Sequence, residues 1–118
     1  MESEEDILKK AYSAFNERRI DDVLMLMQTD VDWPNGWEGG YLRGHAAVKE
    51  YWTRQWKEID PYVFPLSFKK LEDGRLQVEV RQVVKDYAGN LLQEQVVIHI
   101  YTFGDGLIQG MEIRESDS

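Results

Sequence analysis

Val96-Val97-Ile98-His99-Ile100-Tyr101-Thr102-Phe103 is the stretch whose reading decides the architecture of this 118-residue chain. It holds no glycine and no proline, and it is rich in β-branched and aromatic residues, so it reads as a strand. Alternate side chains of a strand point to opposite faces. One face carries Val96, Ile98, Ile100 and Thr102; the other carries Val97, His99, Tyr101 and Phe103. Both faces are largely apolar, so both are expected to be covered. The helices of so short a chain can cover one of them. A second copy packed against the outer sheet face is the simplest cover for the other, and a homodimer is therefore expected.

Working outward, three further segments read as strands, giving 62–71, 75–87, 91–103 and 107–114 in all. Their separators are Glu72-Asp73-Gly74, Ala88-Gly89-Asn90 and Gly104-Asp105-Gly106, all with turn chemistry. Connections this short predict an antiparallel meander. Two registers around the 88–90 turn, one residue apart, bring either Gln82 or Glu79 towards His99.

Upstream the pattern is helical. Residues 4–18 have Ile7, Leu8, Ala11 and Phe15 at helical spacing behind Ser3, and residues 21–28 open on Asp21-Asp22. Val31-Asp32-Trp33 is a short extended piece that Pro34 stops. A glycine-rich loop, 34–44, leads into the best helix of the chain, 45–59, whose apolar face includes Val48, Tyr51, Trp52 and Trp56. Helices and a wide loop followed by a run of strands give an α+β fold in a single domain, residues 1–118.

Composition narrows the function. With no cysteine there is no disulfide, thiol nucleophile or thiolate zinc site, and the two histidines, His45 and His99, have no metal-binding spacing. No metal and no organic cofactor is expected. A net charge of −8 would repel a polyanion, which argues against nucleic acid. No apolar run is long enough for a membrane span, and the start MESEED is unlike a signal peptide, so a cytoplasmic location is expected.

All four tryptophans fall between Trp33 and Trp56, which points to an aromatic pocket wall or a well-filled core at the open end of a curved sheet. Trp33, Trp37, Trp52 and Trp56 are the candidate wall for a small apolar or aromatic ligand; Glu38, in the loop, is a candidate lid carboxylate. Gln82 and Tyr101 are candidate polar contacts. Asp32, between Val31 and Trp33, is the candidate general base, and His99 the candidate acid or hydrogen-bond donor.

The stretches AYSAFNERRIDDVLMLM, VDWPNGWEGGYLRGHAAVKEYW and VVIHIYTFGDGLIQGMEIRE together resemble the SnoaL-like branch of the nuclear transport factor 2-like (NTF2-like) superfamily. Its members include ketosteroid isomerases and polyketide cyclases. The resemblance implies a cystatin-like cone: three helices packed on a strongly curved antiparallel sheet around a deep internal pocket. It also implies homodimers through the outer sheet face. By the same resemblance the isomerases' catalytic aspartate falls at Trp33, their oxyanion tyrosine near Ala11 with Tyr12 one residue off, and their protonated aspartic acid at His99. None of the three is retained as such. The expected function is a small-molecule pocket protein, either a cofactor-independent acid–base enzyme (isomerase, cyclase or hydratase) or a non-catalytic ligand-binding or dimerisation module.

Overall fold

The four downstream strands do form a meander, but the sheet they belong to is larger and mixed. The computed structural model describes residues 3–35 and 39–115. In chain order they form α1 (Glu4–Asn16), α2 (Ile20–Leu24), β1 (Met27–Pro34), β2 (Tyr41–Arg43), α3 (His45–Glu58), β3 (Asp60–Lys70), β4 (Leu76–Lys85), β5 (Leu91–Gly104) and β6 (Leu107–Glu115). One six-stranded sheet runs β2-β1-β6-β5-β4-β3. Strands β3 to β6 are antiparallel neighbours, whereas β1 joins β6 in parallel.

Two expectations are corrected here. The sheet is not purely antiparallel, and only two helices precede it, because α3 follows β1 and β2. The helix expected over 21–28 stops at Leu24, and Met27 instead enters the sheet opposite Ile108 and is buried. Burial against β6 decides this, and local periodicity carries no trace of it. Likewise, Tyr41–Arg43 of the expected loop pairs with β1.

Helix α1 starts where Ser3 accepts a hydrogen bond from the Asp6 amide at 3.1 Å. Glu4, Glu5 and Asp6 follow at the positive end of the helix dipole. Its buried face holds Ile7, Leu8, Ala11 and Tyr12. At its other end the Asn16 amide donates to the Val63 carbonyl at 2.7 Å and accepts from the Val63 amide at 2.9 Å. The edge strand β3 thus has a local backbone pair satisfied by a helix side chain. Helix α3 follows Gly44, whose φ of 90° favours a residue without a β-carbon; an added one would also lie 3.3 Å from the Thr29 carbonyl oxygen. The β5–β6 hairpin closes on Asp105-Gly106, both at positive φ, as a two-residue turn of this hand demands.

The helices cover one face of the sheet. On β5 that face carries Val97, His99 and Tyr101, all buried. Val78 stands opposite His99, Gln82 opposite Gln95, and Glu79 opposite Ile98 on the outer face. The register therefore puts Gln82, not Glu79, on the face of His99, four register pairs away from it. On the outer face Ile100 is already buried within its own chain, flanked in register by Gln77 and Glu112, while Val96 and Phe64 remain 36% and 40% exposed. No helix among the described residues is long and apolar enough to cross a membrane.

Candidate functional site

A cavity of about 370 Å³ lies between the helices and the covered sheet face. Its walls are apolar and aromatic. Trp33 reaches it from β1 and Trp52 from α3, with their rings edge to face at 5.5 Å. Strand alternation brings Trp33 there: Val31 and Trp33 turn towards the helices and Asp32 away. Phe15 packs on Trp52 with ring centroids 5.2 Å apart. Such edge contacts hold aromatic walls in fixed orientations.

The polar part of the cavity is a buried chain of three side chains. Tyr101 donates to the Tyr12 hydroxyl at 2.8 Å, and the Tyr12 hydroxyl lies 2.8 Å from His99 Nδ1. The Tyr12–Nδ1 contact is compatible with either ring tautomer, and where Nδ1 is the acceptor Tyr12 donates to it. In that tautomer the imidazole proton sits on Nε2, the ring nitrogen left to meet a ligand. Burial holds the His99 pKa down at about 4, so the ring is neutral near pH 7. Burial also pushes both phenols up, Tyr12 with help from the neighbouring Tyr101. All three groups are therefore neutral donors and acceptors. Among the described lining residues there is no aspartate, glutamate, lysine or arginine. Gln55, Gln82, Gln93 and Gln95 add carboxamides, and Tyr51, Trp33 and Trp52 add a hydroxyl and two indole N–H groups.

Several site residues read from the sequence come together: Trp33, Trp52, Gln82, His99 and Tyr101 all line the cavity. Others do not. The expected pairing of Asp32 with His99 is not formed. Asp32 lies half exposed on the other side of β1, opposite Arg43, whose Nε donates to its carboxylate at 3.0 Å. This hydrogen bond and the accompanying charge raise the Arg43 pKa. Trp56 is not a lining residue either. It stacks on Trp52 at 6.0 Å, and the Arg18 guanidinium, paired with Asp60, sits 4.9 Å from its ring. Trp56 supports the wall from behind. Trp37 and Glu38 lie outside the described residues.

Tyr12, which the family resemblance set one residue away from the oxyanion tyrosine, is the main site residue missing from the sequence-based candidates. The signal was available: Tyr12 is four residues from Leu8 and so shares its buried face. Strand alternation also puts Gln95 on the face of His99, but how far the cavity extends along that face is not written in the alternation.

The profile of the SnoaL-like domain family matches residues 8–111. Among solved structures, TerC co-crystallised with polyporic acid is 26% identical, with a TM-score of 0.79, over 93% of this chain and 88% of that one. A nuclear transport factor 2-like protein from Burkholderia pseudomallei is 22% identical with a TM-score of 0.82, covering 98% and 92% of the two chains. An epoxide hydrolase-like protein of Mycobacterium tuberculosis is 14% identical with a TM-score of 0.74, covering 91% and 77%. No curated protein matches the chain.

Proposed function

Because the chain belongs to the SnoaL-like domain family, we propose that it is a pocket protein for a flat, largely apolar small molecule bearing a carbonyl or hydroxyl oxygen. The observation that carries this reading is the Tyr101–Tyr12–His99 chain set into an apolar cavity of about 370 Å³. The ligand's rings lie against Trp33 and Trp52, and its oxygen accepts a hydrogen bond from His99 Nε2. A neutral imidazole backed by two hydroxyls polarises a carbonyl without needing to protonate it fully. That is the part of an isomerase or cyclase reaction this site is built to perform, without metal or organic cofactor. Support for a small-molecule ligand also comes from TerC, which was crystallised with polyporic acid.

His99 and Tyr12 replace the Asp32–His99 pair as the chemical centre. The lack of any carboxylate among the described lining residues favours a second reading, binding without turnover. A single probe separates the two: 2-tetralone, a fused-ring ketone with exchangeable α-protons. Calorimetry should show binding that weakens in Tyr12→Phe and His99→Leu. Proton–deuterium exchange at the α-carbon, followed by nuclear magnetic resonance, should exceed the buffer rate if the pocket is an enzyme and match it if the pocket only binds. Absence of binding, or binding indifferent to both substitutions, would overturn the reading.

The assembly belongs to the same proposal. A second copy is placed on the outer sheet face, where Phe64 and Val96 flank Arg81 in one row and stay exposed beside half-buried Ile98. Covering such a row removes apolar surface from water at no new backbone cost.

A further inference from the structure

The cavity has polar groups at two levels and an apolar belt between them. His99 marks the inner level. Gln95, four residues earlier on β5, points to the same side and lines the same cavity. Strand geometry puts their backbones roughly 14 Å apart. Gln82 pairs with Gln95 across β4 and β5, so two carboxamides stand side by side at the outer level. Between the levels Val97 lines the cavity, backed by its register partner Val80, and both are buried. A ligand reaching from one level to the other therefore meets polar groups, then aliphatic and aromatic surface, then polar groups again.

Charge narrows the ligand further. No ionised side chain is among the described lining residues, and His99 is neutral near pH 7. A carboxylate or ammonium drawn to the inner level, beside buried His99, would lose its hydration without gaining a counterion, whereas Gln95 at the outer level is exposed. The net charge of −8 works against an anionic ligand even at a distance. Carboxamides, in contrast, both donate and accept, and so suit a neutral hydroxyl or carbonyl.

We infer that the pocket selects an uncharged, elongated ligand with a hydrogen-bonding oxygen at each end, the inner oxygen held by His99 and the outer one by the Gln82–Gln95 pair. This rests on the pocket reading above and adds the ligand's length, charge and second anchor. Gln82 and Gln95 are specificity residues: they tell a two-ended ligand from a one-ended one with the same rings.

Three biphenyls test this by calorimetry at neutral pH: 4,4′-dihydroxybiphenyl, 4-hydroxybiphenyl and 4′-hydroxybiphenyl-4-carboxylate. The dihydroxy compound should bind most tightly, and the carboxylate at least about tenfold more weakly than it, as expected for an unpaired charge. The double variant Gln82→Leu/Gln95→Leu should lose about tenfold in affinity for the dihydroxy compound, the equivalent of one or two net hydrogen bonds. It should bind 4-hydroxybiphenyl as the wild type does, which also shows that the pocket remains folded. Equal loss for both neutral ligands, no loss for either, or a carboxylate that binds as well as the diol would overturn the inference. If 2-tetralone binds in a Tyr12-dependent way while the biphenyl series shows no such ranking, the pocket reading stands and this inference alone fails. If none of these compounds binds, both fail.

Discussion

The Tyr12 hydroxyl lies 2.8 Å from Nδ1 of His99, joining the first helix to the fifth strand across 87 positions of chain. The contact orients the imidazole, forms part of the cavity lining and involves a buried titratable ring. Each of these consequences can be measured.

His99 should make stability depend on pH. Its folded pKa, held at about 4 by burial, lies below the unfolded value of 6.5. Above pH 6.5 the ring is neutral in both states and costs nothing. As pH falls from 6.5 through about 4, the unfolded chain takes up a proton that the folded protein refuses, and stability declines by up to about 3 kcal/mol. Denaturation of wild type and His99→Gln between pH 4 and 7 should show this slope in the wild type and a shallower one in the variant. Identical slopes would mean that the ring is charged, or solvated, inside the fold.

Replacing Tyr12 by phenylalanine removes a donor to His99 and an acceptor for Tyr101 together. Two buried polar groups lose their partner, which should cost about 1–3 kcal/mol. Urea unfolding measures it. A change well below that range would show that water or a rearranged Tyr101 takes over the vacated position.

Asp32→Asn should leave ligand affinity and any turnover unchanged. The side chain is outside the cavity and paired with exposed Arg43. Surface pairs of this kind contribute little to stability. Calorimetry with 2-tetralone is the check, and a large loss of binding would return Asp32 to the site.

Asn16→Ala should loosen the edge strand. The asparagine makes two hydrogen bonds to Val63, and their loss should cost about 1–3 kcal/mol. Amide exchange should accelerate in β3 before it does in β5. Uniform exchange across the sheet would show that β3 is held by its pairing with β4 alone.

The dimer proposed on the outer face should sediment at about twice 13.9 kDa. Val96→Lys should shift it towards monomer, because a lysine there would be buried without a partner. Ile100 is a poor position for this test, since it is buried within its own chain. A wild-type monomer at micromolar concentration would remove the assembly.

Legibility varied along the chain for identifiable reasons. The four meander strands were readable because alternation and turn residues are local signals, and the ends of β3 to β6 fall within two residues of the expected spans. The last residues of the helix expected over 21–28, and the short strand β2, were not. Met27 and Tyr41 are strand residues only because β6 and β1 are there to pair with them. At the site, Trp33, Trp52, His99 and Tyr101 followed from alternation and helical spacing. Asp32 was misplaced even though the same alternation sets it opposite Trp33; its chemical suitability as a base had outweighed its geometry.

By itself the sequence determined the α+β class, the absence of thiol chemistry, the aromatic wall and the two-faced central strand, because these depend on residue type and on periods of two and 3.6. Tertiary structure alone decided that β1 would run parallel to β6, that Gln82 would stand beside Gln95, and that Tyr12 would be the partner of His99. Those pairings join residues far apart in the chain, and their geometry is set by how a helix seats on a curved sheet, which no local period encodes.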